Sequence, residues 1–424
     1  MEKSDSLAEI SSHTAFSSRH LVLFMLCAAL FFCSMFHRSS NAVIALQLQQ
    51  DLALTPETLG ILSASFFYAF AVTQVPLALL LDRLGARLIM TVLTFAGSVG
   101  ACLFAVADGF GLALAGRTLL GLGMAGNLMG GLKLFTRWFS PREFATLSGL
   151  LVGFGTLGNI AACTPLALLV DAIGWRAALG AAGILTALLA IFFHIVIQDS
   201  PHPEALSSAK CSGRPKNCGI GALFSSRDYW LISCGTFFRY GTLMAIQGLW
   251  AGPYLIEYLK LSPVQAGNLI MLTTVGYVAG CSGGGWLSDR VLASRKYVAV
   301  MGLAGMAAVN LCLTMAWGQS DVFMRGCTFF FLGLFPGFGN VMYAHIKGIM
   351  PVEMAGMALA GINFFTMLGV GAYIHLIGLV LEHLGAGGAA TGAQGYQAAF
   401  SLALAGVVLA TVLYLFTNES KEFK

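Results

Sequence analysis

The sequence predicts an all-α polytopic membrane protein, twelve transmembrane helices arranged as two pseudo-symmetric six-helix bundles. Three observations carry that prediction. The 424 residues are 57% hydrophobic and only 10% charged, where an ordinary soluble domain carries about 25% charged residues. The apolar runs extend from near residue 20 to residue 416, so the chain is neither a soluble enzyme, a disordered protein nor a single-span receptor. The two halves also repeat each other.

A helix needs about 20 apolar residues to cross a bilayer. Runs of that kind fall at 20–47, 56–81, 88–107, 111–138, 143–171, 175–197, 229–257, 264–288, 297–318, 322–348, 354–382 and 396–416. The domains follow: a tail at 1–19, an N-terminal bundle at 20–197, a polar linker at 198–228, a C-terminal bundle at 229–416 and a tail at 417–424. With an even number of spans, both termini and the linker lie on one side. Sixteen Lys and Arg residues fall on that side and only Arg176, Lys260 and Arg325 on the other. The positive-inside rule makes the crowded side cytoplasmic. The N-terminus carries acids and no early apolar stretch, so it does not read as a cleaved signal peptide.

The repeat is specific. LTPETLG at 54–60 reads against LSPVQAG at 261–267, and LLLDRLGAR at 79–87 against WLSDR at 286–290. Pro56 with Pro263 and Asp82 with Asp289 share one offset of 207 residues. Two six-helix repeats around a central site are a transporter architecture.

Eight of the ten cysteines sit inside apolar runs, where Cys is a small hydrophobe. Cys211 and Cys218 flank SGRPKN without a zinc spacing. No metal or cofactor is expected, and no G-x-x-x-x-G-K-[ST] loop offers a nucleotide site. No basic stripe suggests nucleic acid.

Four basic residues lie within spans: Arg38, Arg117, Lys133 and Arg239. A charge at mid-bilayer costs ~2.5–3.5 kcal/mol on insertion scales and marks function by default. Arg38 is in the first span and Arg239 in the seventh, the opening helices of the two repeats. Ser34, His37, Arg38 and Asn41 follow helical spacing on one face. So do Thr236, Arg239, Tyr240 and Gln247 on the other. Every Asp and Glu falls in a tail, a loop or at a helix end, so neither arginine has an evident carboxylate partner. Guanidinium binds carboxylate, sulfonate or phosphate through paired hydrogen bonds. The two faces therefore predict an anion site. Asn340 and Tyr343 on the tenth span are further cavity candidates, as are Tyr68 and Trp250. Lys133 either guides anions or snorkels to the interface. His37 could titrate, although the neighbouring Arg38 charge opposes its protonation.

The loop ALLLDRLGAR, with Asp82, Arg83, Gly85 and Arg87, resembles the G-x-x-x-D-R-x-G-R-[RK] loop of the major facilitator superfamily. GWLSDRVLASRK repeats it with Gly285, Asp289, Arg290, Arg295 and Lys296. GRTLLGLGMAG on the fourth span, with Arg117, Gly121, Gly123 and Ala125, is similar to that family's R-x-x-x-G-x-G-x-[AG]. The resemblance covers nearly the whole chain. It implies a secondary transporter working by alternating access in a bacterial inner membrane, and not an enzyme. It also implies gating roles for Asp82, Arg83, Arg87, Arg117, Asp289 and Arg290.

Arginines in spans one and seven are similar to the organophosphate and organic-anion branch. That likeness makes Arg38 and Arg239 substrate ligands, with His37, Asn41, Tyr240, Gln247, Asn340, Tyr343 and Lys133 around them. The expected partners are a small anionic substrate, a coupling ion (H⁺ or Na⁺) or counter-anion, and the bilayer, around a monomer. Nitrate porters keep their arginines in spans two and eight, where this chain has no buried Arg. A drug or siderophore exporter of the same fold, or a ligand sensor that does not transport, are the alternatives.

Overall fold

The computed structural model describes residues 18–200, 223–317, 321–385 and 393–419. Most of the first tail, most of the linker with Cys211 and Cys218, and the last five residues lie outside the described residues.

The N-terminal half runs α1 (Ser18–Ser39), α2 (Asn41–Asp51), α3 (Pro56–Leu84), α4 (Ala86–Ala105), α5 (Phe110–Met124), α6 (Asn127–Trp138), α7 (Pro141–Ala161) and α8 (Thr164–Val196). The C-terminal half begins with α9 (Arg227–Ala245). A wide π turn (Ile246–Trp250), the short α10 (Ala251–Pro253) and a second π turn (Tyr254–Tyr258) continue the same rod. It is followed by α11 (Pro263–Trp286), a π turn (Leu287–Val291), α12 (Arg295–Thr314), α13 (Val322–Phe338), α14 (Val341–Ile349), α15 (Val352–Gly385) and α16 (Ala393–Tyr414).

Ten stretches among the described residues are both long and apolar enough to cross a membrane. Two features account for the difference from the expected twelve. Gly174 sits at φ 78°, ψ 158° inside α8, a conformation open only to glycine. It turns the chain between the fifth and sixth spans, so α8 belongs to both. The rod from Arg227 to Tyr258 is long, but its π turns and polar residues break the uniform apolar helix. With the Gly174 turn counted, α1 and α2 form one broken rod, as do α5 with α6 and α13 with α14.

The repeated sequence at 54–60 and 261–267 is a pair of helix starts. Thr55 caps α3 and Ser262 caps α11, each through a capping box with the residue three positions on. A proline stands at N1 in both, where its missing N–H costs nothing. The repeat extends to the linker side. There the Asp199 carboxylate accepts from Arg87 N at the start of α4. Glu419 accepts from Arg295 N and Lys296 N at the start of α12. In each case a carboxylate meets the positive end of its bundle's third span.

The bundles meet chiefly along α3 and α15, with further contact between α8 and α11. On the face opposite the linker this seam is shut. Glu57 N donates to Glu382 Oε2 at 2.8 Å and Thr164 Oγ1 to Asn268 Oδ1 at 2.7 Å, both across the bundles. Gly252 lies so close to the Ala42 carbonyl that any Cβ there would collide with it. Asp51 at the end of α2 accepts from Trp175 Nε1 at 2.8 Å and also pairs with Arg176. These contacts hold its carboxyl below the usual aspartate range, the Trp175 hydrogen bond contributing most.

Candidate functional site

A central cavity of about 400 Å³ lies between the bundles. Its wall runs toward the linker side along Leu128, Met129, Gly149 and Gly153, away from the shut seam. The protein is thus open on the linker side.

The first span breaks where the cavity needs a polar surface. α1 ends at Ser39 and α2 starts at Asn41, within a run of five polar residues at 37–41; Ser40 between them keeps helical dihedrals, φ −61° and ψ −29°, so the interruption is local. Arg38 projects from the last turn of α1. It is 5% exposed, and its guanidinium lies 4.9 Å from the Phe70 ring centre. Its Nη1 donates to the Tyr240 hydroxyl at 3.4 Å, while Nε has no hydrogen-bond partner among the described residues. Arg239 also lines the cavity but is fully buried. Its Nη1 donates to the Pro336 carbonyl at 2.6 Å. There α13 tightens to i→i+3 bonds before α14 begins, Gly339 N to Pro336 O and Asn340 N to Gly337 O. Arg239 therefore braces a broken helix as well as facing the cavity. Its guanidinium lies 5.9 Å from the Tyr240 ring centre, so both arginines converge on Tyr240.

Tyr240, Asn340 and Tyr343 line the cavity as expected. Tyr277 donates to Asn340 Oδ1 at 3.3 Å, and the Tyr343 and Thr366 hydroxyls lie 3.2 Å apart. Gln74, Asn159, Asn363 and Thr366 line it too and were not singled out from the sequence. Their signal was a lone amide or hydroxyl in an apolar span, and for Asn363 and Thr366 a three-residue spacing. Among the described residues, Arg38 and Arg239 are the only charged side chains on the cavity wall, and no Asp, Glu, His or Lys contributes to it.

Several expected residues stand elsewhere. His37 points into the N-terminal bundle, 3.3 Å from Thr186 Oγ1. A helix face wide enough for both His37 and Arg38 turns the former inward when the latter faces the cavity. Asn41 lies beyond the break and donates to Ser63 Oγ at 2.9 Å. Gln247 sits in the π turn, whose extra residue shifts the register set by Arg239, and it donates to Thr274 Oγ1 at 2.7 Å. Lys133 is paired with Asp82 of its own bundle. Trp250 donates to the Ile374 carbonyl, and Tyr68 packs on Gly371. None of these six lines the cavity.

Of the expected gating groups, Asp82, Arg83, Asp289 and Arg290 are exposed on the linker side. Arg87 donates twice to the His194 carbonyl, at 2.9 and 2.6 Å. Arg117 is 1% exposed inside the N-terminal bundle, because glycines 121 and 123 draw its helix tightly against α3 and α4.

The profile of the Major Facilitator Superfamily matches residues 26–249 and 232–423 in two overlapping stretches. A probable sulfoacetate transporter, SauU, of Cupriavidus necator is 26% identical over 87% of this chain and 88% of its own length. The nitrate/nitrite transporter NrtP of Nostoc punctiforme is 26% identical, over 66% of this chain and 56% of its own. Among solved structures, a bacterial homologue of the human lysosomal transporter Spinster, inward-facing and occupied, superposes with a TM-score of 0.76. It covers 95% of this chain and 97% of the other, at 16% identity, which speaks to fold alone. The repeated half-bundles, the central cavity and the matching profile agree: the chain is a polytopic membrane transporter, not an enzyme, and belongs to the Major Facilitator Superfamily.

Proposed function

We propose that the protein is a secondary transporter of a small organic anion, a carboxylate, sulfonate, sugar acid or phosphate ester, moved by alternating access. One observation carries this reading. Two buried arginines from opposite bundles converge on Tyr240 in a cavity with no acid on its wall among the described residues. A buried positive charge without a counter-charge is costly, and an anion bridging the two supplies it. Because the ligands come from both bundles, bound anion draws the bundles together and stabilises the occluded state through which the carrier must pass. The names of the relatives, a sulfoacetate and a nitrate transporter, support an anion.

The basic residues concentrate on the linker side, which supports a cytoplasmic linker and cytoplasmic termini in a bacterial inner membrane. The cavity then faces the cytoplasm. Asp82 and Asp289, at matching helix ends of the two halves, would engage when that side closes. An ion gradient or a counter-anion drives transport.

Uptake into proteoliposomes tests the reading. Radiolabelled sulfoacetate, galactonate, inorganic phosphate and nitrate would be compared in wild type and Arg38→Ala. Saturable uptake of one anion, lost in Arg38→Ala, is expected. Uptake of apolar or cationic compounds that survives Arg38→Ala would favour the exporter. Binding without flux would favour the sensor.

A further inference from the structure

Arg117 is a membrane-embedded charge that the cavity does not use. It is 1% exposed, and no ion pair among the described residues reaches it. Its guanidinium lies 5.0 Å from the Phe66 ring centre and 5.5 Å from that of Phe104. Such stacking favours a cation in a dry setting. Nη1 donates to the His37 carbonyl at 3.2 Å, whereas Nε and Nη2 have no partner among the described residues. The target is informative. His37 immediately precedes Arg38, at the break between α1 and α2. Its carbonyl takes a second side-chain donor, Ser40 Oγ, also at 3.2 Å.

This contact is the last of a series joining the first span to the fourth. Asn127 Nδ2 donates to the Leu30 carbonyl at 3.3 Å, and Ser34 Oγ to the Met124 carbonyl at 3.1 Å. Arg117 follows at His37. The first two contacts hold the middle of α1, whereas the third holds its last turn. Rotation of that last turn would swing Arg38 about the rod and off Tyr240.

We propose that Arg117 is a positioning residue for substrate. By gripping the His37 carbonyl, it fixes the direction in which Arg38 leaves the first span. The inference rests on the anion reading above.

A double-mutant cycle in detergent tests it. The probe is whichever of sulfoacetate, galactonate, phosphate and nitrate binds wild type most tightly by calorimetry. Arg117→Met should weaken binding about tenfold while the protein stays monodisperse, and Arg117→Lys should restore part of the loss. Ser40→Ala, a mild change at the same carbonyl, should weaken binding two- to threefold and covers the case in which Arg117→Met fails to fold. Arg117→Met, or Ser40→Ala in its place, should be non-additive with Arg38→Lys and additive with Arg239→Lys. Additivity with both, or no loss in either variant, would overturn the proposal and leave the anion site standing. Unchanged affinity in Arg38→Lys and Arg239→Lys, or no binding of any probe to wild type, would overturn the anion reading and the proposal with it.

Discussion

Arg38 of the N-terminal bundle donates to the Tyr240 hydroxyl of the C-terminal bundle at 3.4 Å. This long contact joins the two halves at the floor of the open cavity. An anion seated between Arg38 and Arg239 would compete for the same donors, so substrate replaces a weak neutral partner with a charge-assisted one.

The two arginines are not equivalent, and their variants should separate. Both keep an Nε without a hydrogen-bond partner among the described residues, but Arg239 is fully buried and holds the Pro336 carbonyl at 2.6 Å, whereas Arg38 reaches only the Tyr240 hydroxyl at 3.4 Å. Arg38→Ala should lose at least a hundredfold in anion affinity with little change in apo melting temperature. Arg239→Ala should lose affinity and also about 1–3 kcal/mol of stability, the cost of leaving a buried carbonyl unsatisfied. Thermal melts with and without anion check both.

Charge on the cavity wall predicts selectivity and pH response together. With no Asp, Glu, His or Lys on that wall among the described residues, no carboxylate, imidazole or amine there changes charge between pH 5.5 and 8. Affinity for a sulfonate, itself permanently charged, should stay within about twofold across that range. An analogue of equal size carrying an ammonium should bind at least tenfold more weakly, since it meets two guanidinium groups and no carboxylate. Calorimetry at three pH values reads the first and the paired analogues read the second.

The shut face should be tunable without touching the cavity. Glu382 accepts the Glu57 N–H across the bundles at 2.8 Å. A hydrogen bond to a charged group is worth about 1.5–3 kcal/mol. Glu382→Gln should weaken the state open on the linker side, and Gly252→Leu should do so more strongly by colliding with the Ala42 carbonyl. Both should slow labelling of the cavity residue Cys281 from the linker side, in a chain with its other cysteines replaced.

Gly174 offers a test of backbone strain alone. At φ 78°, with no atom near the position of an added Cβ, Gly174→Ala should cost about 1–3 kcal/mol through conformation rather than clash. A melting temperature equal to wild type would contradict the turn.

Much of the fold was legible in the sequence because a bilayer enforces simple rules. Apolar length marks spans, and Pro56 and Pro263 mark matching helix starts. The Arg38 and Arg239 pair could be found because a charge in an apolar run has no neutral explanation. What could not be read was direction at a helix break. His37, next to Arg38 within α1, lies about 100° around the helix from it and reaches Thr186, while Asn41, past the interruption at Ser40, reaches Ser63. Gln247 was misplaced for the same reason, by a π turn. Asn159, Asn363 and Gln74 were missed because a single amide in an apolar span is as often a packing group as a ligand. The bracing of the first span by Arg117 depends on a backbone carbonyl, which no side-chain pattern records.

The most direct measurement is the thermal shift of purified protein against a series of organic anions, alongside Arg38→Ala. Ligand at 100 times its Kd stabilises the folded state by about 2.7 kcal/mol. The account predicts a clear rise in melting temperature with one class of anion, absent in Arg38→Ala. A rise of equal size in wild type and Arg38→Ala, or stabilisation by cationic or apolar compounds alone, would contradict it.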